Sequence, residues 1–407
     1  MNKALSFTAI ICALASCADV SRAMPEDAGV EFPSPAGDGS GEPFLSASED
    51  GVFMSWLEPT SEGSNALMFA QLVGDDWSEP SVVAESDGFF VNWADFPSVT
   101  PDSEGTLWAH WLQRGEAGGY DYGVRIVNSR DGGETWSAPW TPHEDGTPTE
   151  HGFVSAIAMD GSIGFSWLDG RQSVEGPDGS LATKEMTVRW RTANADGTRG
   201  PETLLDARVC DCCQTSAALT PSGPIVVYRD RSEDEIRDIY VTRNIDGAWT
   251  DGMPVHSDGW NIAGCPVNGP AATMAGSDLA VAWFTAADDV PHVKVAFSDD
   301  DGATFGEPFV VDDGNPAGRV HVLGRPDGSL FVTWLERTGG EAAEVRLRRY
   351  DRNGAQGDPV VVSNSTSARA SGFPRMAEAP DGSLVVAWTD ASAETPMVRL
   401  TRLVLEH

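Results

Sequence analysis

A repeated unit is the sequence feature that most constrains the fold. Similar apolar segments, each centred on an aromatic residue, recur at intervals of 51 to 61 residues along the chain. Periods of this length are typical of repeat architectures, so the repeat takes precedence over the two or three domains that 407 residues would suggest. The anchoring aromatic residues are Trp56, Trp111, Trp167, Tyr228, Trp283, Trp334 and Trp388.

Each unit has the pattern of four short strands. Runs rich in Val, Ile, Phe and Trp alternate with Asp-Gly and Gly-rich turns, as in antiparallel sheets. Four strands repeated radially make a β-propeller. The sequence therefore predicts an all-β, seven-bladed β-propeller of four-stranded antiparallel blades over residues 41–407, with a six-bladed ring as the alternative.

The last unit ends after three strands, whereas the segment GVEFPSP, residues 29–35, belongs to no unit. We expect residues 18–40 to form a tether whose GVEFPSP segment adds the missing outer strand and closes the ring.

Residues 1–17 have the layout of an export signal, with Lys3, an apolar run from Ala4 to Ala15 and small residues after it. The segment from Leu14 to Cys17 resembles the lipobox of bacterial lipoproteins. That resemblance implies a lipid anchor on Cys17 in the cell envelope and, because Ala18 follows, sorting to the outer membrane, on its periplasmic or surface face. Cleavage after Ala18 without lipidation is the alternative.

The charge of the chain limits its partners. Lys and Arg total 27 against 62 Asp and Glu, a formal net charge of -35. Such a field repels phosphate backbones and anionic lipid, so nucleic acid is excluded as a partner and the lipid anchor is the expected contact with a membrane. We expect a monomer.

Two tight turns carry the same motif. They read SRDGGETW and SDDDGATF, and both resemble the Asp-box of the sialidase-like β-propellers. Asp bonds to the backbone of its own turn, Gly adopts positive φ and the final aromatic ring packs between sheets, so the motif indicates a fold and no chemistry. The motif residues are Ser129, Asp131, Gly133, Thr135 and Trp136 in the first turn, and Ser298, Asp300, Gly302, Thr304 and Phe305 in the second.

The resemblance raises the question of exo-sialidase activity. Sialidases hold the substrate carboxylate with three arginines and use a Tyr nucleophile, a Glu and an Asp acid/base. In this chain the best candidates for the last three roles are Tyr228, Glu150 and Asp95. The chain departs from the family because it lacks the Phe/Tyr-Arg-Ile-Pro segment of the first blade. The sequence therefore favours a binding protein over an enzyme.

Acidic side chains recur two residues after the anchoring aromatic residue in five of the seven units. By symmetry they form either a ring of carboxylates near the axial mouth or caps at strand ends. The five are Glu58, Asp169, Asp230, Glu336 and Asp390.

The fourth unit also carries a charge run. Such runs are usually solvated loops, but this one follows Tyr228 directly and should border the mouth. Because guanidinium groups bind anions in a bidentate manner, an anionic ligand is the functional alternative. The candidate ligand-binding residues are Arg229, Arg231, Glu235 and Arg237, with Arg319 from a blade-joining loop.

Four cysteines fall on neighbouring blade-joining loops. Cys210, Cys212 and Cys213 precede blade four, Cys265 precedes blade five, and His151 lies one blade earlier. Export makes disulfides the default, although pairing four cysteines at this spacing strains the vicinal pair. The alternative is a thiolate and imidazole site for copper or zinc; a catalytic thiol is a third reading.

These observations favour an exported propeller that binds a ligand at a cysteine-lined axial mouth, and a soft metal ion, Cu or Zn, is the ligand that we expect there. Two alternatives remain open, namely a sialidase-type glycoside hydrolase acting on acidic sugars and a scaffold or adhesion module. The expected partner is accordingly a small ligand, a metal ion or an acidic glycan.

Overall fold

The computed structural model describes residues 30–60, 63–175, 181–183 and 185–405. Over these residues the chain folds into seven antiparallel blade sheets and one small two-stranded sheet, and the first strand of each blade contacts the first strand of the next one around a closed ring. This confirms the seven-bladed β-propeller. The predicted signal peptide and lipidation site Cys17 lie outside the described residues.

In blades 1 to 6 the order of the strands from the axis outward is their order in the sequence. Blade 1 comprises Gly41–Ser48, Gly51–Pro59, Asn65–Val73 and Ser81–Ser86; blade 2 comprises Ser98–Pro101, Leu107–Arg114 and Tyr122–Ser129, with a bridge from Ile126 to Trp140 at its outer edge. Blade 3 comprises His151–Met159, Ser162–Asp169, Met186–Ala193 and Thr203–Val209; blade 4 comprises Ser216–Thr220, Gly223–Arg229, Ile239–Ile245 and Met253–Pro254.

Blade 5 comprises Ala271–Ala275, Asp278–Thr285, His292–Ser298 and Phe309–Val310; blade 6 comprises Pro316–Gly324, Leu330–Gly339, Ala342–Asp351 and Val360–Thr366. Short additional strands are Asp76–Trp77, Val174–Glu175, Leu181–Thr183, Ala248–Trp249 and Gly354–Ala355, and the 3-10 turns are Ala287–Asp289 and Arg369–Ser371. In the described part of the chain, no helical segment has the length and hydropathy of a membrane span.

Blade 7 joins the two ends of the described chain. It comprises Arg375–Glu378, Leu384–Asp390, Met397–Leu403 and, as its outer strand, Val30–Phe32. Val30 pairs with Arg402 and Phe32 with Leu400. The GVEFPSP segment thus supplies the fourth strand that the last repeat lacks, and the hydrogen bonds between the two ends close the ring.

The hydrophobic core is divided among the interfaces between blades. Blades 7 and 1 share one cluster that includes Trp56 and Val398, blades 4 and 5 share another around Val227 and Trp283, and the remaining neighbours pack in the same way. Each blade therefore buries apolar side chains from both faces of its sheet, one face against each neighbouring blade. A single repeat would leave both faces exposed, so it cannot fold alone.

The acidic residue after the anchoring tryptophan has a structural role in this ring. The indole N–H groups of Trp56, Trp167 and Trp334 donate to the carboxylates of the acidic residues two positions later. The Glu336 carboxylate also accepts the Asn315 amide at 2.7 Å. A buried indole N–H needs an acceptor, so these carboxylates cap the strand ends. Three of the five acidic residues thus take the capping role.

The two motif turns have the same internal hydrogen bonds. In the first, the Asp131 carboxylate accepts the Thr135 amide at 2.9 Å, and the Ser129 hydroxyl accepts the Gly133 amide at 2.8 Å. Gly133 has φ of 92°, and a Cβ there would lie 2.2 Å from the Phe69 ring. Asp300 and Ser298 repeat both bonds at 2.8 Å in the second turn.

Removing the Glu336 carboxylate should destabilise the fold. Glu336→Ala leaves the Trp334 indole and the Asn315 amide without their acceptor, so we expect a loss of about 1–3 kcal/mol in the free energy of unfolding, measured by chemical denaturation. The matched control is Asp390→Ala at the equivalent repeat position. Asp390 bonds to Ser392 in an exposed turn, so its loss should cost about 0.5 kcal/mol or less. Equal losses in both variants would contradict the capping role.

Candidate functional site

The structure brings the four cysteines of the described chain together where the loop from blade 3 to blade 4 meets the loop from blade 4 to blade 5. The Cys210 Sγ atom lies 2.9 Å from that of Cys213 and 3.8 Å from that of Cys212. Cys265 Sγ contacts the Asp211 carboxylate at 3.6 Å, and these two ligand atoms and Cys212 Sγ all lie within 4.8 Å of one another. All four cysteines are present as free thiols. Cys212 therefore links a buried pair of thiols to the exposed Cys265.

Positive charge lies directly beside these thiols. The Arg237 guanidinium contacts Cys210 Sγ at 3.4 Å and the Asp211 carboxylate at 3.5 Å. Burial raises the pKa of the Cys210 thiol, but hydrogen bonds from Cys212 and Cys213, together with the charge of Arg229, outweigh burial and hold the pKa well below its usual value. Burial instead raises the pKa of Cys213. The cluster thus favours one thiolate at Cys210, stabilised by its neighbours.

The arginines predicted to bind an anionic ligand donate instead to carbonyl and carboxylate groups of the protein. Arg229 is buried and donates to the carbonyls of Asn268, Arg237 and Phe284. Arg231 and Arg237 both pair with Glu235. Arg319 donates to the Gly372 and Ser367 carbonyls and stacks on Trp93. The structure therefore uses these guanidinium groups to hold loops together, and none of the five residues is arranged around an open anion site.

His151 does not join the thiols. Its ring stacks on His143 with centroids 3.8 Å apart, its Nδ1 donates to the Thr149 carbonyl, and its Nε2 lies 3.2 Å from the Asp145 carboxylate. Asp169 lies on the same side at 3.6 Å and is itself paired with Arg171. Among the described residues, the five predicted metal ligands are therefore split between a cysteine cluster and a separate histidine–aspartate cluster.

The electrostatics of the second cluster favour a charged imidazole. Burial by itself lowers the pKa of His151, but the hydrogen bond with Asp145 and the charge of Asp169 outweigh it, so the net pKa is raised. Burial and the charge of His151 lower the pKa of the neighbouring His143 to about 3. The two flanking carboxylates thus favour the charged form of His151.

The predicted glycosidase residues are also divided. Asp95 and Glu150 meet around Tyr122, a residue that the sequence analysis missed: the Tyr122 hydroxyl donates to Glu150 at 2.7 Å and lies 3.4 Å from Asp95. Burial raises the pKa of Asp95 to about 8. Tyr228 lies elsewhere, because its hydroxyl donates to Asp206 at 2.7 Å.

A cavity of about 170 Å³ lies on the axis of the ring, lined by residues from all seven blades. Asp95 is on its wall, with Phe153 from the first strand of blade 3 and Gln214 from the loop before blade 4. The first strands also contribute His321 and Arg375, and His110 faces the cavity from a second strand. Of this set, the sequence analysis named Asp95, as a candidate glycosidase residue.

No protein-family model and no curated protein matches the chain. Among solved structures, it is similar to the polysaccharide lyase Uly1, at 11% identity over 89% of this chain and 90% of that chain, with a TM-score of 0.53. An α-L-arabinanase from Penicillium chrysogenum has 12% identity over 95% and 99% of the two chains, with a TM-score of 0.48. The NanB sialidase from Streptococcus pneumoniae has 12% identity over 92% and 70%, with a TM-score of 0.46. At 11% identity the likeness to the polysaccharide lyase shows the fold alone, a β-propeller.

The charge on His151 should make stability depend on pH. Because its folded pKa is raised above the unfolded value, the stabilisation is fully present below about pH 6.5 and is lost as the pH rises through the folded pKa. We expect the free energy of unfolding to fall more steeply between pH 6 and 9 in the wild type than in His151→Gln. The measurement is urea denaturation of both proteins across that range. A His151→Gln slope equal to that of the wild type would contradict a charged His151.

Proposed function

We propose that the protein binds one soft metal ion, Cu(I) or Zn(II), at the cluster of Cys210, Cys212, Cys213 and Cys265. The observation that carries the proposal is that three sulfur ligand atoms lie within 4.8 Å of one another on a loop of four residues. Sulfur ligands of one tetrahedral zinc ion are about 3.8 Å apart, since each Zn–S bond is about 2.3 Å. The 3.8 Å between Cys210 and Cys212 equals that spacing, and Cys213 needs a small rotation away from Cys210.

The fourth coordination position of the metal ion could be filled by either a carboxylate or a thiol. Asp211 and Cys265 both lie within 4.8 Å of the Cys212 sulfur, so either could complete a site that starts from the three-thiol loop. Copper(I) accepts three thiolates, whereas zinc requires four ligands in a structural site. The proposal therefore predicts that Cys265 matters more for zinc than for copper.

The surrounding charges favour a site rich in thiolate. Three thiolates around a monovalent copper ion leave two surplus negative charges, and such charges need nearby cations when buried. Arg237 contacts Cys210 Sγ, and the Arg229 guanidinium is buried beside the same loop. Exposed Cys265 and half-buried Cys212 give the site a side that faces solvent. Both features suit a metal that is taken up and released outside the cytoplasm, where the predicted lipobox would place the protein.

Metal content tests this proposal. Protein purified anaerobically with reductant should contain one copper or zinc ion per chain by elemental analysis, and Cys212→Ser should lose it, because Cys212 belongs to both ligand groups. His151→Gln is the matched control and should retain the metal, since His151 lies in the other cluster.

A free-thiol count on protein taken directly from the cell envelope completes the experiment. Four reactive thiols after metal removal support the metal site. Absence of metal together with no free thiols would overturn it and establish the rival reading, in which disulfides staple the two loops.

A second candidate function is glycoside hydrolysis, favoured by the contact of Tyr122, Glu150 and Asp95. A Tyr hydroxyl bonded to Glu beside an Asp whose pKa is raised to about 8 provides a nucleophile, its base and an acid. Against this reading, Tyr122 is only 1% exposed and stacks under Phe90, at 3.9 Å between ring centroids. A sugar could reach the hydroxyl only if that ring moved.

Turnover of a fluorogenic sialoside tests whether the protein is a sialidase-type glycoside hydrolase. If the protein is a glycosidase, Glu150→Gln should lower kcat by about 10²–10⁴-fold, because the tyrosine loses its base, and Tyr122→Phe should abolish turnover. Tyr228→Phe is the control and should leave turnover unchanged, since Tyr228 bonds to Asp206. Absence of turnover in the wild type would exclude this candidate for sialosides.

A further inference from the structure

The axial cavity contains a buried cation without a counter-ion. Arg375 is 8% exposed and lines the cavity. In the described part of the chain, no carboxylate lies within ion-pair distance of its guanidinium, and its Nε has no hydrogen-bond partner. Other buried arginines differ: Arg325, for example, pairs with Glu378. Burying an unpaired charge is unfavourable, so a bound anion would stabilise the Arg375 guanidinium, which no described carboxylate pairs with.

Aromatic rings surround the Arg375 charge. The guanidinium carbon lies 3.9 Å from the centre of the Phe96 ring, 5.6 Å from that of Phe44 and 5.9 Å from that of Phe373. Cation–π contacts offset part of the cost of burial, but they satisfy no N–H group. Burial still lowers the pKa of Arg375 only to about 9, so it stays charged at neutral pH.

Two histidines add hydrogen-bonding atoms to the same cavity. His321 Nδ1 and His110 Nε2 are buried without a hydrogen-bond partner, while His110 Nδ1 faces the Ser98 hydroxyl at 2.9 Å. Burial lowers the pKa of His110 to about 4 and that of His321 well below its usual value, so both are neutral at neutral pH. A neutral imidazole can present an N–H to a ligand.

The register of the sheets places His321 and Arg375 side by side. His321 pairs with Thr333 and Arg375 with Ala387, each one residue before the anchoring tryptophan of its blade. Blades 6 and 7 are neighbours, so the two side chains stand at one level of the axial wall. The charge of Arg375 contributes to the lowered pKa of His321, as expected for groups that face each other.

We propose that the axial cavity binds a small monocarboxylate, whose oxygen atoms are held by the Arg375 guanidinium and the His321 and His110 imidazoles. One carboxylate balances the one cation, and the planar guanidinium matches the planar anion. The Phe44, Phe96 and Phe373 rings suit a short apolar tail better than a strongly hydrated inorganic anion. Asp95, also on the cavity wall, has its pKa raised to about 8 by burial, so it adds little negative charge at pH 7.

This site is independent of the thiol cluster and needs no metal. It also differs from the four arginines chosen from the sequence, because those pair with carbonyls or carboxylates, whereas the Arg375 Nε has no hydrogen-bond partner among the described residues. The chain has 62 Asp and Glu residues, yet none of those in the described ranges lies within ion-pair distance of the Arg375 guanidinium.

Calorimetric titration of the full chain with sodium acetate, propionate and benzoate at pH 7 and constant ionic strength tests the proposal. We expect saturable binding of at least one carboxylate. Arg375→Met, which keeps the length and removes the charge, should weaken that binding tenfold or more. Arg399→Met is the control, because Arg399 pairs with Glu31 at the outer edge of blade 7, and it should bind as the wild type does.

Thermal melting gives a second readout that a purely structural arginine would not show. Without a carboxylate, Arg375→Met should melt at a higher temperature than the wild type, because it removes an unpaired buried charge; added carboxylate should raise the melting temperature of the wild type and not that of the variant. His321→Asn leaves the Arg375 guanidinium in place and should weaken carboxylate binding severalfold. This variant tests the site even if Arg375→Met fails to fold. No saturable binding by any of the three carboxylates, or equal affinity in the wild type and His321→Asn, would overturn the proposal.

Discussion

Burial of every blade between two neighbours is the constraint on which the structure depends. A single four-stranded sheet here has apolar side chains on both faces, as the fully buried Trp56, Trp167 and Trp334 demonstrate. Each of these rings brings a polar N–H into the core, and the carboxylate two residues later satisfies it. Ring closure then becomes obligatory, since an open ring would expose two such faces. The pairing of Val30–Phe32 with Met397–Leu403 meets that requirement with strands from opposite ends of the described chain.

The sequence was informative wherever the structure repeats. The spacing of the aromatic anchors predicted the number of blades, and the incomplete last repeat indicated where an outer strand was needed. For the acidic positions the repeat left two readings open, a ring of carboxylates and caps at strand ends; at Glu58, Asp169 and Glu336 the carboxylate binds the indole of the tryptophan two residues before it. Only the hydrogen bonds of the indole groups distinguish capping from a ring of free carboxylates, and a linear sequence does not contain them.

The parts of the candidate sites that could not be predicted are those that break the repeat. Tyr122 begins the third strand of blade 2, where nothing in the sequence sets it apart, and its role depends on Glu150 arriving from the next blade-joining loop. His321 and Arg375 become visible only through strand register, because the equivalent residues in blades 2, 3 and 4 are Ser98, Ser155 and Ser216. A polar small residue at that level is replaced in blades 6 and 7 by an imidazole and a guanidinium.

Blade 4 departs from the repeat at its anchoring aromatic residue, next to the thiol cluster. Tyr228 replaces tryptophan, and its hydroxyl donates to Asp206 on the preceding outer strand rather than to the acidic residue two positions later.

The next residue, Arg229, then connects the two cysteine loops. Its carbonyl accepts the Cys210 amide at 2.9 Å, while its guanidinium donates twice to the Asn268 carbonyl, three residues after Cys265. A buried arginine in this position therefore fixes the distance between the loops through main-chain atoms, without any bond between the four thiols.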